Sequence, residues 1–414
     1  MKVLVVTQYF WPESFRINEV VDSLRLAGCE VTVLTGQPNY PEGVIRSGYS
    51  AYSMQKEVHG GVPIYRVPMA PRGRGTATRL TLNYLSFVAS GTVFGTWLLR
   101  GQKFDAIFVY APSPILQAIP AVWLKWIKRA VLVTWIQDLW PESLSATGFV
   151  HDKRILGIVG AVVRWIYRKN DLLLVSSQAF VKPVVQASGG TPVIYHPNPG
   201  ELAFLTNGND RPPNLRLDSG FNVVFAGNLG TVQALDTVVA AALLLRDEND
   251  VKFVLVGSGS RSDWVKSEVQ RLGLDNVSMP GRFPPSEMPG IFSQASVLLV
   301  SLTKDPVLTQ TVPSKVQAYL AAGRPIIASL DGEGARVVKE ANAGLACPAG
   351  DPQALASAIR KIRNALPEDR EKMARSGRSY YEQHFEPNLL AGRLIQILTE
   401  QVTAKVAADK GKLN

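Results

Sequence analysis

The chain has 414 residues and a mass of 45.1 kDa, 46% of it hydrophobic and 19% charged, with a mean hydropathy near zero. This composition excludes disordered and fibrous classes and supplies apolar material for more than one core. Two cysteines, Cys29 and Cys347, provide no disulfide framework, and four histidines scattered at 59, 151, 196 and 384 lack metal-ligand spacing, so no metal or other cofactor is expected. The net charge of +10 is uneven: residues 1–200 carry 20 Lys+Arg against 11 Asp+Glu, and residues 201–414 carry 24 against 23. A basic first half points to an anionic partner, whether nucleic acid, an anionic membrane or a phosphorylated substrate. No basic motif interleaved with aromatics, as in nucleic-acid modules, occurs, so nucleic acid is not expected. The start, Met1-Lys2-Val3-Leu4-Val5-Val6, has no secretory h-region and cleavage site, and a cytoplasmic protein is expected.

Taken in order, Lys2–Thr7 reads as a buried strand, Asn18–Leu26 as a helix closed by Ala27-Gly28, and Glu30–Leu34 as the next strand. The pattern recurs at Ala106–Tyr110, Ala130–Ile136 and Leu172–Val175, and again at Asn222–Phe225, Lys252–Val256, Ser296–Val300 and Pro325–Ala328. Strands apolar on both faces and separated by helices predict parallel sheets covered on both sides. The polar, proline-rich stretch 196–220 reads as a linker, which divides the chain near 205 into two doubly wound α/β domains.

The segment Leu80–Leu99 is uncharged for 20 residues, long enough to cross a bilayer. Its Thr, Ser, Asn and Gly content leaves three readings open: a spanning helix, a buried packing helix or a helix lying on a membrane surface. Arg66, Arg72, Arg74 and Arg79 precede it, and Lys125, Lys128 and Arg129 follow beside Trp123 and Trp126. Such clusters are ordinarily solvated faces, but next to Trp-rich apolar helices they also fit an interfacial anchor.

Four turns carry more chemistry. Ala226-Gly227-Asn228-Leu229-Gly230 and Val256-Gly257-Ser258-Gly259 each follow a strand, Gly281-Arg282-Phe283 is a third, and Thr311-Val312-Pro313-Ser314-Lys315 opens a helix. Glycine admits close backbone approach, and a helix start offers free N–H groups to a phosphate. Each alone is as well explained by an ordinary turn; four at strand ends of one sheet point to a nucleotide crevice.

These turns, with Tyr319-Leu320-Ala321-Ala322-Gly323-Arg324-Pro325, resemble the donor domain of family-4 glycosyltransferases. Gln8-Tyr9-Phe10-Trp11-Pro12-Glu13, Thr35-Gly36-Gln37-Pro38-Asn39-Tyr40-Pro41 and Gln137-Asp138-Leu139-Trp140-Pro141-Glu142-Ser143 resemble the subgroup of bacterial surface-polysaccharide synthesis that includes the WbuB and WcaI transferases. The resemblance implies a GT-B fold of two facing Rossmann-like domains: an acceptor-binding, membrane-facing domain at 1–204, a nucleotide-sugar domain at 205–385, and a crossover helix and tail at 386–414. It further implies a retaining, metal-independent enzyme that moves a sugar, N-acetylfucosamine or another N-acetylhexose, from a UDP-linked donor. The acceptor would be a polyprenyl-diphosphate-linked saccharide in O-antigen, capsule or exopolysaccharide synthesis, at the inner face of the cell membrane.

By the same resemblance, Asp138, Glu142 and Lys315 are the candidate catalytic residues. Donor-binding candidates are Gly227, Asn228, Gly230, Gln233, Gly257, Gly259, Arg282, Phe283, Gln310, Thr311, Val312, Pro313, Ser314 and Lys315. Acceptor-binding candidates are Glu13, Arg16, Asn39 and Gln137. With no metal, backbone amides and cations must hold the departing diphosphate; alternatively Lys315 and Arg282 are plain surface cations, and Asp138 a helix N-cap. The chain departs from the family pattern where Gln310 and Ala318 replace a pair of glutamates, where neutral Asn228 and Gln233 replace Arg and Lys, and where Gln137 replaces a histidine. Gln317 could substitute for Ala318 only with the helix rotated. A GT-B UDP-N-acetylhexosamine epimerase and a degenerate nucleotide-sugar-binding protein are the competing readings.

Overall fold

The computed structural model describes residues 1–146, 152–200 and 214–411. Two compact units emerge, one of residues 1–198 with 390–414, the other of residues 199–389. The boundary expected near 205 falls in 201–213, outside the described residues.

The first unit holds an eight-stranded sheet of β1 (Lys2–Val6), β2 (Glu30–Thr35), β3 (Gln55–His59), β4 (Val62–Arg66), β5 (Ala106–Ala111), β6 (Val131–Ile136), β7 (Leu172–Val175) and β8 (Val193–Tyr195), ordered β3-β4-β2-β1-β5-β6-β7-β8. All neighbours are parallel except the β3–β4 hairpin, which the sequence reading missed because Gln55–His59 is polar and exposed. Its signal was the Gly60-Gly61 pair, both at positive φ (+55° and +81°) as a two-residue hairpin turn requires. Helices α1 (Arg16–Leu26), α2 (Ala77–Leu98), α3 (Ile119–Lys128), α4 (Glu142–Ala146), α5 (Lys153–Lys169) and α6 (Gln178–Ser188) accompany this sheet.

Of the three readings of Leu80–Leu99, the packing helix is the one the structure has, and no described helix is long and apolar enough to cross a membrane. Leu80, Asn83, Phe87, Ser90, Gly91 and Gly95 of α2 are buried. A Cβ on Gly95 would lie 2.8 Å from the Leu34 side chain of β2, and one on Gly91 would lie 3.0 Å from Pro120 of α3, so both glycines let the helix seat closely. Its other face exposes Leu82, Leu85, Val93, Phe94 and Trp97; Trp123 and Trp126 of α3 and Ile155, Ile158 and Trp165 of α5 are also exposed.

The second unit holds a six-stranded parallel sheet of β9 (Phe221–Ala226), β10 (Val251–Val256), β11 (Val277–Gly281), β12 (Val297–Ser301), β13 (Ile326–Ser329) and β14 (Gly344–Cys347), ordered β11-β10-β9-β12-β13-β14. Its helices are α7 (Leu235–Leu244), α8 (Ser262–Leu272), α9 (Met288–Ser293), α10 (Ser314–Ala322), α11 (Glu333–Glu340), α12 (Pro352–Arg363) and α13 (Pro367–His384). Strands β9 and β12 are buried along their whole length, and separate apolar clusters cover the two faces of the sheet. The last helix, α14 (Pro387–Gly411), buries Leu394, Ile397 and Leu398 with Val3, Val5 and Ile17 in the core of the first unit.

Candidate functional site

All four glycine or helix-start turns lie at the C-terminal ends of the second sheet, where they ring a cavity of about 660 Å³. Backbone geometry explains the glycines. Gly227 and Gly257 have φ of +127° and +137°, and a Cβ on Gly257 would come within 1.9 Å of the Gly227 carbonyl oxygen. A Cβ on Gly259 would meet the Asn228 side chain and the Leu229 carbonyl, each at 2.5 Å. Side chains here would fill the turns against one another.

Helix α10 starts at the cavity with Ser314 and Lys315 on its lining and no side chain capping it. Uncapped first-turn amides and the positive end of the helix dipole both favour an anion. The Lys315 ammonium sits 3.6 Å from the centroid of the Phe225 ring, its Nζ buried with no hydrogen-bond partner. Burial pushes its pKa down to about 7. A buried cation without an acceptor is costly unless a ligand supplies one. Tyr319, one turn further along α10, accepts the Ala226 N–H through its hydroxyl at 3.0 Å and braces β9 against the helix.

Of the other donor candidates, Asn228, Gln233, Arg282 and Phe283 line the cavity with Gly227, Gly257 and Gly259. Gln233 Oε1 accepts the Gly230 N–H at 3.0 Å, which holds the loop closed on itself. Gln310, Thr311, Val312 and Pro313 are half-buried before α10 and do not line the cavity. Ala318 lines it and Gln317 does not, so a rotated helix is not what the structure has. The sequence reading missed Phe225 and Tyr319; the signal for Tyr319 was its i+4 spacing from Lys315.

The first-unit candidates are built differently. Glu13 is buried, and its Oε1 accepts the Asn39 and Tyr40 amides at 2.7 and 2.6 Å. Burial raises its pKa to about 7, with those amides and the Arg66 charge opposing. Asn39 is buried too: its Nδ2 donates to the Gln37 carbonyl at 2.8 Å and its Oδ1 accepts the Arg72 amide at 3.1 Å. Arg16, half-buried at the start of α1, pairs loosely with Glu19 at 3.7 Å. Gln137 Oε1 accepts from Asn198 Nδ2 at 2.7 Å.

Asp138 follows β6 and is half-buried. It is not the N-cap of α4, which begins four residues later. The Ser143 hydroxyl donates to its carboxylate, and the Ser113 and Trp140 side chains and the Leu139 amide act on it as further donors. Burial nevertheless dominates and raises its pKa. Asp138 lines an apolar recess of about 290 Å³ with Ser113 and Ser143, two residues the sequence reading did not single out. Glu142 stands exposed at the first position of α4 and is not part of this lining.

Two family models match the chain: the glycosyl transferase 4-like domain over residues 14–199 and glycosyl transferases group 1 over residues 220–364. A protein of Escherichia coli K12 named as the glycosyl transferase WcaI of colanic acid biosynthesis is 26% identical over 344 residues, covering 78% of this chain and 82% of its own length. The glycosyltransferase named WbjE of Pseudomonas aeruginosa is 25% identical over 308 residues, covering 70% of this chain and 74% of its own. The crystal structure of Anabaena HepE in complex with UDP superposes with a TM-score of 0.68 at 15% identity, covering 97% of this chain and 100% of that one.

Proposed function

Since the chain belongs to the family-4, group 1 glycosyltransferases and has the GT-B fold, we propose that it moves a sugar from a UDP-sugar to a polyprenyl-diphosphate-linked saccharide, with retention of anomeric configuration, in bacterial surface-polysaccharide synthesis. The sugar is N-acetylfucosamine or another N-acetylhexose, and the enzyme works on the inner face of the cell membrane. Support for the donor comes from the UDP carried by HepE and, within this chain, from the Lys315 ammonium that faces a glycine-walled cavity without a partner. That ammonium is the observation that carries the reading.

In this mechanism the diphosphate lies against the start of α10. The first-turn amides and Ser314 hold its oxygens, and Lys315 gains the acceptor it lacks, which raises its pKa and fixes its proton. Asn228, Gln233 and Arg282 border the same anion. Gln310, Thr311, Val312 and Pro313 set the approach to the helix start rather than the cavity wall. Ala318 presents a methyl group where the family pattern has a carboxylate, so the ribose here packs more than it bonds.

In the first unit, Asp138 orients the acceptor hydroxyl in the recess, and Glu142 contacts a neighbouring hydroxyl of the saccharide. Glu13, Asn39 and Gln137 hold the loops in place, with Arg16 at the start of α1. The acceptor hydroxyl attacks the anomeric carbon on the face the diphosphate leaves, and the leaving phosphate oxygen takes its proton. Retention by this route requires no protein nucleophile, only positioning and charge.

Incubation with labelled UDP-sugars, with and without a lipid-linked saccharide, tests the reading. The expected result is label in the lipid phase that depends on the saccharide. Interconversion of UDP-N-acetylhexosamines without an acceptor would make the chain an epimerase, and UDP binding with no turnover would make it a binding protein; either overturns the proposal.

A further inference from the structure

The recess around Asp138 has a polar floor and an apolar mouth. Asp138, Ser113 and Ser143 form the floor; Leu80, Leu116 and Val159 continue the walls toward Leu85 and Ile155. Leu85 and Ile155 are 52% and 48% exposed, so they belong both to the recess and to the outer surface. Beyond them, exposed Leu82 and Ile158 extend the apolar surface along α2 and α5. Exposed Ala77 and Thr81 share this rim, so a single hydroxyl interrupts an otherwise apolar opening, where a recess meant for a free saccharide would be ringed by polar groups.

Cations gather at the same ends of these helices. Arg79 lies in the first turn of α2, and Lys153 and Arg154 begin α5. Together with Arg72 and Arg74, none of them makes an ion pair among the described residues. Arg72 is the best placed. Its guanidinium donates to the Tyr9 hydroxyl at 2.8 Å and lies 5.6 and 5.2 Å from the Tyr9 and Tyr40 ring centroids. The Tyr9 hydroxyl in turn donates to Asn83 Oδ1 of α2 at 3.2 Å, and the next residue of that helix, Tyr84, is a wall of the recess. An oriented guanidinium with no ion pair, linked through Tyr9 to the helix that walls the recess, suits a phosphate that carries a chain.

We propose that this recess takes the lipid-linked acceptor head-first: the saccharide hydroxyl on the Asp138 floor, the diphosphate beside Arg72 and Tyr84, and the first isoprene units leaving over Leu85 and Ile155. The inference rests on the lipid acceptor of the proposed function and adds where its chain and phosphates bind.

Calorimetric titration of the full chain with farnesyl diphosphate, isopentenyl diphosphate and inorganic pyrophosphate separates the chain from the head. Farnesyl diphosphate should bind at least tenfold tighter than isopentenyl diphosphate, and Leu85→Glu and Ile155→Glu should each abolish that margin. Arg72→Ala should weaken all three diphosphates by a similar factor. None of these variants should move the UDP dissociation constant of the second unit, and wild-type near-UV circular dichroism from the tryptophans of the first unit reports that they fold. Equal affinity for the long and short chains, or a margin that survives in either Glu variant, would overturn the proposal. So would displacement of farnesyl diphosphate by phosphatidylglycerol micelles as readily as by unlabelled farnesyl diphosphate, since the recess would then be a general lipid contact. A preparation that still transfers sugar to a lipid acceptor while failing these titrations refutes the recess alone and leaves the transferase reading standing.

Discussion

At the C-terminal ends of the second sheet, the groups that border the cavity are tight glycine turns, an uncapped helix start and one ammonium with no partner. At the corresponding ends of the first sheet the carboxylates are answered: Glu13 takes two amides, Asp138 collects donors from two serines, a tryptophan and an amide, and Asn39 bonds on both sides, while the orphans there, Gln8 Oε1, Gln37 Oε1, Gln137 Nε2 and His196 Nδ1, are uncharged. One edge holds an unpaired charge among glycine turns, and the other pairs its carboxylates around an apolar recess. Under the proposed function, the contrast teaches that a charged donor is met by preorganised backbone. Under the same proposal, an amphipathic acceptor is met by a shaped wall whose polar residues mostly hold the shape.

The sharpest way to break the first half of the contrast is Gly257→Ala. The residue sits at φ +137° with the Gly227 carbonyl 1.9 Å from any added Cβ, so the turn must move. A loss of about 3 kcal/mol or more of stability is expected, along with UDP binding. A thermal melt with and without UDP checks both; a variant that melts and binds normally would mean the turn is not needed.

Asp138→Asn probes the braced edge. The amide presents an N–H where donors already converge, and the charge that orients the hydroxyl is gone. Turnover should fall ~10²-fold while the UDP dissociation constant stays put. Steady-state kinetics at saturating donor and lipid acceptor decide it, and near-normal turnover would leave Asp138 as scaffold.

Glu13 sharpens the idea of bracing. Glu13→Ala leaves the Asn39 and Tyr40 amides without their acceptor, and the expected cost is ~2 kcal/mol. Glu13→Gln keeps an acceptor oxygen and should cost less. It should also remove a pH dependence: an acid raised to about 7 in the fold binds its proton more tightly there than when unfolded. Its contribution is therefore full in acid and declines as pH rises from the unfolded carboxylate range through 7. Denaturant unfolding of both proteins at pH 5 and 8 shows whether the slope follows Glu13.

Much of this molecule was legible from the chain. The recurring apolar runs located the central parallel strands, because strands buried on both faces leave no alternation to confuse. The glycine turns were legible for the same reason that they are glycines. Polar Gln55–His59 and the short edge strand Gly344–Cys347 escaped, since an edge strand needs little hydrophobicity. At the site, Lys315 could be found from its place at a helix start, but its isolation over Phe225 is a matter of packing. Glu13 and Asn39 are acceptor candidates by the resemblance, and their sequence carries no sign that each also bonds neighbouring backbone groups, because a carboxylate or amide looks the same whether it faces a sugar or a buried amide. Only the fold distinguishes those uses.

The smallest expected effect is also the most direct test, because it concerns the buried ammonium over Phe225 on which the donor reading rests. Calorimetric titration of UDP into the wild-type chain and Lys315→Met, at pH 7 and at pH 9, measures it. The free ammonium titrates near pH 7 because it is buried, and a bound diphosphate should raise that value. Affinity should accordingly be strongest below pH 7 and fall by up to ~10-fold per pH unit above it until the bound-state pKa is passed. Binding at pH 8 should take up a proton, visible as a heat that depends on the buffer. Lys315→Met should bind UDP about tenfold more weakly at pH 7, with little pH dependence, and without ligand it should melt higher at pH 7 than the wild type. That gain should vanish near pH 10, where the lysine is neutral in the fold and losing its charge when unfolded. Equal UDP affinity for the two proteins at pH 7, with no proton uptake by the wild type, would contradict the assignment of this cavity as the nucleotide-diphosphate site.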